Sequence, residues 1–212
     1  MEKLVGKHIL EVCRDIILKV RPKSILDVGC GEARLWRGYG YGGRHDVRDP
    51  RVKEWELDWN PRIVLLDLDA YKHPLPTVQA NAINLPFKDK SFDMVISTEV
   101  IEHVPDVEKY AEEIVRVGRS YIITTPTKFT KITERDWENN PWRINLLKKV
   151  PDSVYPHHAH IRVLTESELS RLFPKSKIML VESLDSEVPH YLLIGGEIED
   201  SYSCNSVPAM QD

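Results

Sequence analysis

The sequence is short of cysteine, of long apolar runs and of positive charge. Its three cysteines, Cys13, Cys30 and Cys204, are odd in number and include no C-x-x-C pair, which argues against a disulfide framework or zinc knuckle and fits a reducing cytoplasm. No window approaches the roughly 18 apolar residues of a membrane span. The formal net charge of −4 gives no support to a general nucleic-acid binder. We therefore expect a cytoplasmic protein without a membrane span.

The chain has 212 residues, which is enough for one α/β domain with a large core. We expect this domain over residues 1–200, with insertions at about 37–62 and 128–162, followed by a disordered tail over residues 201–212. The oligomeric state is expected to be a monomer or a homodimer.

Apolar runs of strand length alternate with amphipathic segments along the chain. The runs predict strands over residues 24–28, 63–66, 78–83, 92–98, 121–125, 177–182 and 190–194. The amphipathic segments predict helices over residues 1–20, 107–117 and 165–172, the last with a capping box between Thr165 and Glu168.

Nearly all-apolar strands that alternate with helices indicate a parallel sheet covered on both faces. The last two strands are joined by few residues, so they should form an antiparallel hairpin at one edge. The predicted fold class is α/β, a three-layer sandwich around a mostly parallel seven-stranded sheet.

Tryptophan is concentrated in or beside the two insertions. All five tryptophans lie there: Trp36, Trp55, Trp59, Trp137 and Trp142. Loops at the carboxyl ends of strands build the binding crevice of an α/β sheet, so these rings are candidates for lining an apolar pocket. The alternative is that they pin the insertions onto the body of the domain.

The stretch SILDVGCGEAR, residues 24–34, ends an apolar strand at two glycines, Gly29 and Gly31. Such a turn lets backbone N–H groups approach a ligand closely, although it also fits a plain strand-to-helix turn. The third glycine of a dinucleotide fingerprint would fall at Arg34, which argues against a nicotinamide-dependent oxidoreductase.

Four segments follow one another along the chain in this order: SILDVGCGEAR, IVLLDLD, ANAINLPFKDKSFDMVISTEVIEHVPD and YIITTPT. Together they resemble the motif series of class I S-adenosylmethionine-dependent methyltransferases, and most closely the type 11 branch that includes ubiquinone and menaquinone biosynthesis enzymes. The resemblance implies a Rossmann-like fold, S-adenosylmethionine as cofactor and S-adenosylhomocysteine as product. It also implies transfer of a methyl group, by in-line displacement, to a small-molecule or lipid-like acceptor.

The resemblance assigns roles to the turn after the first of these strands. Gly29, Cys30 and Gly31 would pass under the amino-acid end of the cofactor, with Asp27 near its ammonium group. The third glycine of the family is Ala33 in this chain.

Further along, the resemblance places Asp67 against both ribose hydroxyls, a task suited to a carboxylate. Leu68 lies beside it, and Asp69 is the competing carboxylate. Asn81 and Ala82 would lie by the adenine, with Asn81 in place of the usual acid.

The end of the strand over residues 92–98 would border the transferred methyl group through Ser97, Thr98 and Glu99. Methyl transfer needs alignment and desolvation more than covalent help, plus a base where the acceptor carries a proton.

Histidines are the candidate bases because their side chains titrate near neutrality. The candidates are His103, after the strand over residues 92–98, and His157, His158 and His160 in the HHAH stretch. The alternative for each is an ordinary capping or packing role. His158 and His160 would share one face of a strand, but the sequence identifies no carboxylate partner, so no metal site is predicted.

Two other function classes stay open at this point. One is a cofactor-binding regulatory or partner module without turnover, and the other is an RNA or protein methyltransferase. Acidic and basic residues alternate through residues 44–58, which indicates a solvated surface more than a nucleic-acid site. A small-molecule acceptor is therefore the expected partner.

Overall fold

The computed structural model describes residues 1–31, 33–36, 57–69, 72–128, 160–182 and 188–198. The strands are β1 (Glu2–Val5), β2 (Ser24–Val28), β3 (Arg62–Asp67), β4 (Thr77–Gln79), β5 (Phe92–Thr98), β6 (Gly118–Pro126), β7 (Ser176–Glu182) and β8 (His190–Gly196). The α-helices are α1 (Ile9–Val20), α2 (Val107–Val117) and α3 (Glu166–Leu172), and short 3₁₀ turns occur at Arg34–Trp36 and Ile101–His103.

The described strands form one sheet in the order β1-β7-β8-β6-β5-β2-β3-β4. Strand β8 runs antiparallel to β6 and β7, and the other neighbouring pairs are parallel. The predicted α/β class with a mostly parallel sheet and an antiparallel hairpin is confirmed. The sheet has eight strands where the sequence predicted seven, and β1 lies outside the β7–β8 hairpin, so the hairpin is not at the edge.

The additional strand corrects the prediction of one helix over residues 1–20. Residues Glu2–Val5 pair in parallel with β7, and α1 begins only at Ile9. His8 stops the helix from extending further back, because its imidazole accepts a hydrogen bond from the Leu10 N–H while the Glu11 carboxylate accepts one from the His8 N–H. Val5 and Ile9, four residues apart as on one face of a helix, are therefore the last residue of β1 and the first residue of α1.

Two apolar layers cover the sheet, one on each face. Helix α1 packs on one face against alternate strand residues such as Ile25 and Ile96, and α2 and α3 pack on the other face against Leu26 and Val95. This arrangement is the three-layer sandwich predicted from the nearly all-apolar strands. In the described part of the chain, no helix has the length and apolar character needed to cross a bilayer.

Helix α3 begins with the capping box predicted from the sequence. The Thr165 hydroxyl accepts a hydrogen bond from the Glu168 N–H at 3.3 Å, and the Glu168 carboxylate accepts one from the Thr165 N–H at 2.7 Å. We expect Thr165→Ala to lower the free energy of unfolding by about 1 kcal/mol, because an amide N–H of the first turn loses its acceptor. Urea denaturation measures this loss, with the exposed Ser167→Ala as control. Equal losses in the two variants would contradict the capping role.

Candidate functional site

The glycine turn after β2 packs against the loop that follows β5. Gly29 has a φ of +72°, and a Cβ built on it would lie 2.3 Å from Val100 Cγ2. The N–H groups of Gly29 and Cys30 both donate to the Leu66 carbonyl, at 2.7 and 3.1 Å. The group that leaves no room for a side chain at Gly29 is therefore Val100, a contact that the sequence did not predict.

Gly31 lies at the open side of the same turn. It has a φ of +49°, and no described atom lies within 4 Å of the position that a Cβ would occupy. Ala33, at the third glycine position of the family, adopts a φ of +52°. Cys30, between Gly29 and Gly31 in the sequence, is buried, and its Sγ lies 3.9 Å from His73 Nε2. Burial raises the pKa of the Cys30 thiol. Among the described residues, none would meet a side chain added at Gly31, whereas Val100 would meet one added at Gly29, so a ligand has space beside Gly31.

Asp67 links the end of β3 to the glycine turn. Its Oδ2 accepts a hydrogen bond from the Gly31 N–H at 2.8 Å, and its Oδ1 accepts one from the Asp69 N–H at 3.1 Å. Leu68 is 39% exposed, and its carbonyl accepts from the Gln79 amide of β4. The carboxylate predicted from the sequence is thus fixed at the turn, and each oxygen keeps a further lone pair for a ligand.

Asp27 is a buried carboxylate on β2 beneath the same turn. It is 2% exposed, and its Oδ2 accepts a hydrogen bond from Trp36 Nε1 at 2.7 Å. Its Oδ1 has no hydrogen-bond partner among the described residues. Burial raises the pKa of Asp27 to about 7, with Trp36 opposing the shift and Asp67 adding to it. An ammonium group placed here would find an acceptor already buried.

The two described tryptophans hold chain segments in place. Trp36 is fully buried in the core beneath α1, and Trp59 donates from Nε1 to the Pro22 carbonyl while Arg21 stacks 4.9 Å above its ring. These contacts favour the pinning interpretation for both. Trp55, Trp137 and Trp142 lie outside the described residues.

Asn81 and Ala82 follow a strand that is shorter than predicted. The prediction of a strand over residues 78–83 was too long, because β4 ends at Gln79 and Asn81 Oδ1 then accepts a hydrogen bond from the Ile83 N–H, forming a local turn. Both Asn81 and Ala82 are half-buried. The turn places them near the carboxyl end of β4, on the side where adenine was expected.

An ion pair on α2 between the buried Glu113 and the half-buried Arg116 anchors the loop that carries Asn81. The Glu113 carboxylate accepts a hydrogen bond from the Leu85 N–H at 2.6 Å and a bidentate pair from Arg116, which also donates to the Phe87 carbonyl. Arg116 lowers the pKa of Glu113. Sequence reasoning missed this anchor, although the spacing of an acid and an arginine three residues apart on a helix was a usable signal.

The three residues predicted to border the transferred methyl group, at the end of β5 and just after it, differ in burial and contacts. Ser97 is fully buried, and its hydroxyl donates to the Val28 carbonyl at 2.8 Å, tying β5 to β2. Thr98 is half-buried. Glu99 has a φ of +57°, and its Oε1 accepts from the Thr124 hydroxyl at 2.8 Å. Of the three residues predicted to border a methyl group, Ser97 therefore has a structural role, because its hydroxyl is hydrogen-bonded within the sheet.

The candidate bases His103 and His160 meet beside a buried carboxylate. Their rings are 4.7 Å apart, edge to face, and His103 Nε2 lies 3.9 Å from Glu102 Oε1. Glu102 is fully buried, and burial together with the Glu99 charge raises its pKa well above the usual range. Burial lowers the pKa of His160. His157 and His158 lie outside the described residues.

These features together define a class of protein. A doubly wound, mostly parallel sheet carries a glycine turn after β2, the strand from which the strand order runs in both directions, and a carboxylate at the end of the neighbouring β3. This arrangement is typical of the crevice of a cofactor-binding α/β domain.

Comparison with known proteins narrows the class. Residues 26–121 match the family described as "Methyltransferase domain", type 11. The chain is 31% identical over 105 residues to norajmaline N-methyltransferase of Rauvolfia serpentina, covering 46% of this chain and 33% of that protein. It is 38% identical over 80 residues to the chloroplastic tocopherol O-methyltransferase of Arabidopsis thaliana, covering 36% of this chain and 22% of that protein.

Among solved structures, the trans-methyltransferase CalH in complex with SAH superposes with a TM-score of 0.51 at 13% identity, covering 80% of this chain and 50% of that one. The chain spans a third or less of the length of the two curated relatives. The match to the methyltransferase family covers residues 26–121, and the solved structure shows the fold that this chain shares.

Proposed function

We propose that the chain is a methyltransferase that moves a methyl group from S-adenosylmethionine to a small-molecule or lipid-like acceptor. The observation that carries this proposal is the hydrogen bond between Asp67 and Gly31, which brings a carboxylate to the open glycine turn at the carboxyl ends of β2 and β3. The N- and O-methyltransferase relatives, whose names are those of small-molecule enzymes, support the acceptor class.

The residues present fit the cofactor. The Asp27 Oδ1 is buried without a hydrogen-bond partner among the described residues, which suits a ligand ammonium group. The Asp67 carboxylate is held in place by two backbone N–H groups and can still accept from two ribose hydroxyls. No described atom lies within 4 Å of the position that a Cβ on Gly31 would occupy, which leaves room there for the amino-acid end of the ligand.

The reaction requires little covalent chemistry from the protein. When bound, S-adenosylmethionine supplies an electrophilic methyl group, which the lone pair of an acceptor N, O, S or C atom attacks as the bond from carbon to sulfur breaks. Thr98 ends β5 and Glu99 follows it, and the acceptor is expected to lie at this end of the strand. Alignment of the acceptor and exclusion of water are the residues' main contributions, with His103 or His160 as the proton acceptor where the nucleophile carries a proton.

The cofactor site is tested by calorimetric titration of the full chain with S-adenosylhomocysteine, with NAD as comparison ligand. We expect binding of S-adenosylhomocysteine alone. Asp67→Ala should weaken it about 100-fold or more, because two charge-assisted hydrogen bonds to ribose are each worth about 1.5–3 kcal/mol.

Asp69→Ala is the matched control, since Asp69 is the neighbouring carboxylate and should leave affinity within a few-fold. Thermal unfolding of each variant distinguishes a lost ligand contact from a lost fold. If Asp67→Ala kept full affinity for S-adenosylhomocysteine and Asp69→Ala lost it, Asp69 and not Asp67 would be assigned to the ribose.

Turnover is tested separately, with a labelled methyl donor and panels of amine, phenol and quinol acceptors. A labelled product from one panel supports the proposed function and identifies the acceptor class. Binding of S-adenosylhomocysteine without any labelled product from these panels would instead favour a cofactor-binding partner module.

A further inference from the structure

Three potential ligand side chains converge at the carboxyl ends of β5 and β6. Glu102, His103 and His160 each offer one ligand atom, and these atoms all lie within 4.8 Å of one another. We propose that this cluster binds a divalent transition metal ion, with zinc as its representative.

The carboxylate of the cluster is preoriented by the fold. The Thr125 hydroxyl of β6 donates to Glu102 Oε2 at 3.1 Å, which fixes the side chain and leaves Oε1 directed at His103. Glu102 Oε1 is buried and has no hydrogen-bond donor among the described residues. A buried carboxylate oxygen without a donor is costly, and a cation would compensate for it.

The backbone brings the second imidazole to the same place. The Ile161 N–H donates to the Glu102 carbonyl at 3.0 Å, so the segment that carries His160 is attached directly to the turn that carries Glu102 and His103. The two imidazole rings meet edge to face at 82°. The three side chains thus come from two distant stretches of sequence that a main-chain hydrogen bond joins.

The donor set selects the kind of ion. Two imidazole nitrogens and one carboxylate oxygen form the ligand set of open zinc sites, in which water or substrate takes the fourth position. Metal–ligand bonds of about 2 Å place tetrahedral ligand atoms a little over 3 Å apart. The 3.9 Å separation of His103 Nε2 and Glu102 Oε1 therefore needs only a small side-chain rotation to close on an ion.

A second carboxylate adds negative charge beside the cluster. Glu99 interacts electrostatically with both Glu102 and His160, and its Oε2 lies 3.2 Å from His190 Nε2. Its side chain is 34% exposed and the Glu102 side chain is buried, so Glu99 is the more exposed of the two carboxylates. A cation near Glu102 would be attracted by both carboxylates.

An ion at this position has an open coordination site at the end of β5. An acceptor oxygen or nitrogen could occupy it and release its proton to water more readily for being bound to the metal, in which case His103 and His160 would act as ligands and not as the proton acceptor. This role rests on the proposed function, whereas binding of the ion does not.

The test uses the full chain after treatment with EDTA and removal of the chelator. Calorimetric titration with ZnCl₂ should show one equivalent bound with a Kd on the order of micromolar or tighter. Titration with CoCl₂ should give the visible absorption of a low-symmetry, four- or five-coordinate site. Glu102→Gln, which keeps an acceptor for Thr125, and His160→Ala should each weaken zinc binding at least about 10-fold.

His73→Gln is the control, because His73 lies by Cys30 at the glycine turn and should leave zinc affinity unchanged. Unaltered zinc binding in the His103→Ala/His160→Ala double variant would overturn the proposal, as would the absence of binding to folded wild-type protein. S-adenosylhomocysteine titration of the same samples reports on the cofactor site, so loss of one site is distinguishable from loss of the other.

Discussion

Gly29→Ala is expected to lower the free energy of unfolding by about 2–5 kcal/mol, the largest loss among the single substitutions considered. Two costs add. An alanine at a φ of +72° costs about 1–2 kcal/mol in backbone energy, and a Cβ placed 2.3 Å from Val100 Cγ2 forces repacking that costs about 1–3 kcal/mol. Urea denaturation measures the sum.

Gly31→Ala separates the two costs, because Gly31 also has a positive φ but no described atom lies near its would-be Cβ. It should lose only the backbone part. Adding Val100→Ala to Gly29→Ala should recover part of the steric cost, which a double-mutant cycle would register as a coupling energy. If Gly29→Ala and Gly31→Ala lost the same free energy, the contact with Val100 would not limit the residue at position 29.

Asp27→Asn is expected to stabilise the ligand-free protein above neutral pH. Burial raises the pKa of Asp27 from an ordinary 3.8 to about 7, so the folded state holds the proton more tightly than the unfolded state. The contribution of Asp27 to stability is therefore present in acid and is lost as pH rises from about 4 to about 7, at up to about 1.4 kcal/mol per pH unit. Between pH 5 and pH 8, the free energy of unfolding of the variant should rise relative to that of the wild type by on the order of 2–3 kcal/mol.

Urea denaturation of both proteins across this pH range measures the difference, in which the titration of other groups largely cancels. Glu113→Gln is the control, because Arg116 lowers the Glu113 pKa, its contribution is lost only as pH falls below about 4.5, and its difference from the wild type should therefore stay constant between pH 5 and pH 8. A difference between wild type and Asp27→Asn that does not change with pH would contradict a raised Asp27 pKa. The same variant should bind S-adenosylhomocysteine more weakly, because the acceptor for the ammonium group would lose its charge.

The sequence predicted those elements whose own residues determine them. Strands β2 and β5 and helix α2 have the predicted bounds, since a short apolar run between polar residues or a three-to-four-residue apolar spacing is a local signal. Strand β1 was not predicted because it has only four residues and its partner, β7, lies near the other end of the described chain. Pairing over such a distance has no signature in the strand itself.

The same distinction applies to the candidate site. Asp27, Gly31 and Asp67 were selected from the family resemblance, and the parallel pairing of β2 with β3 brings the carboxyl ends of these strands together. The contact of Val100 with Gly29 joins two loops, so neither loop predicts it. His160 was considered as a metal ligand without an identified carboxylate partner, and the carboxylate that the folded chain brings near it is Glu102.

The parallel pairing of β1 with β7 also constrains the order in which the protein can assemble. During synthesis, β1 leaves the ribosome first, yet its partner at Ser176–Glu182 is among the last described elements to be made. Strands β2 to β6 can associate meanwhile, leaving β1 without its β7 neighbour until that strand has been made. The edge of the sheet therefore closes late, and a nascent chain stalled before β7 exposes β1 as an unpaired template for other strands.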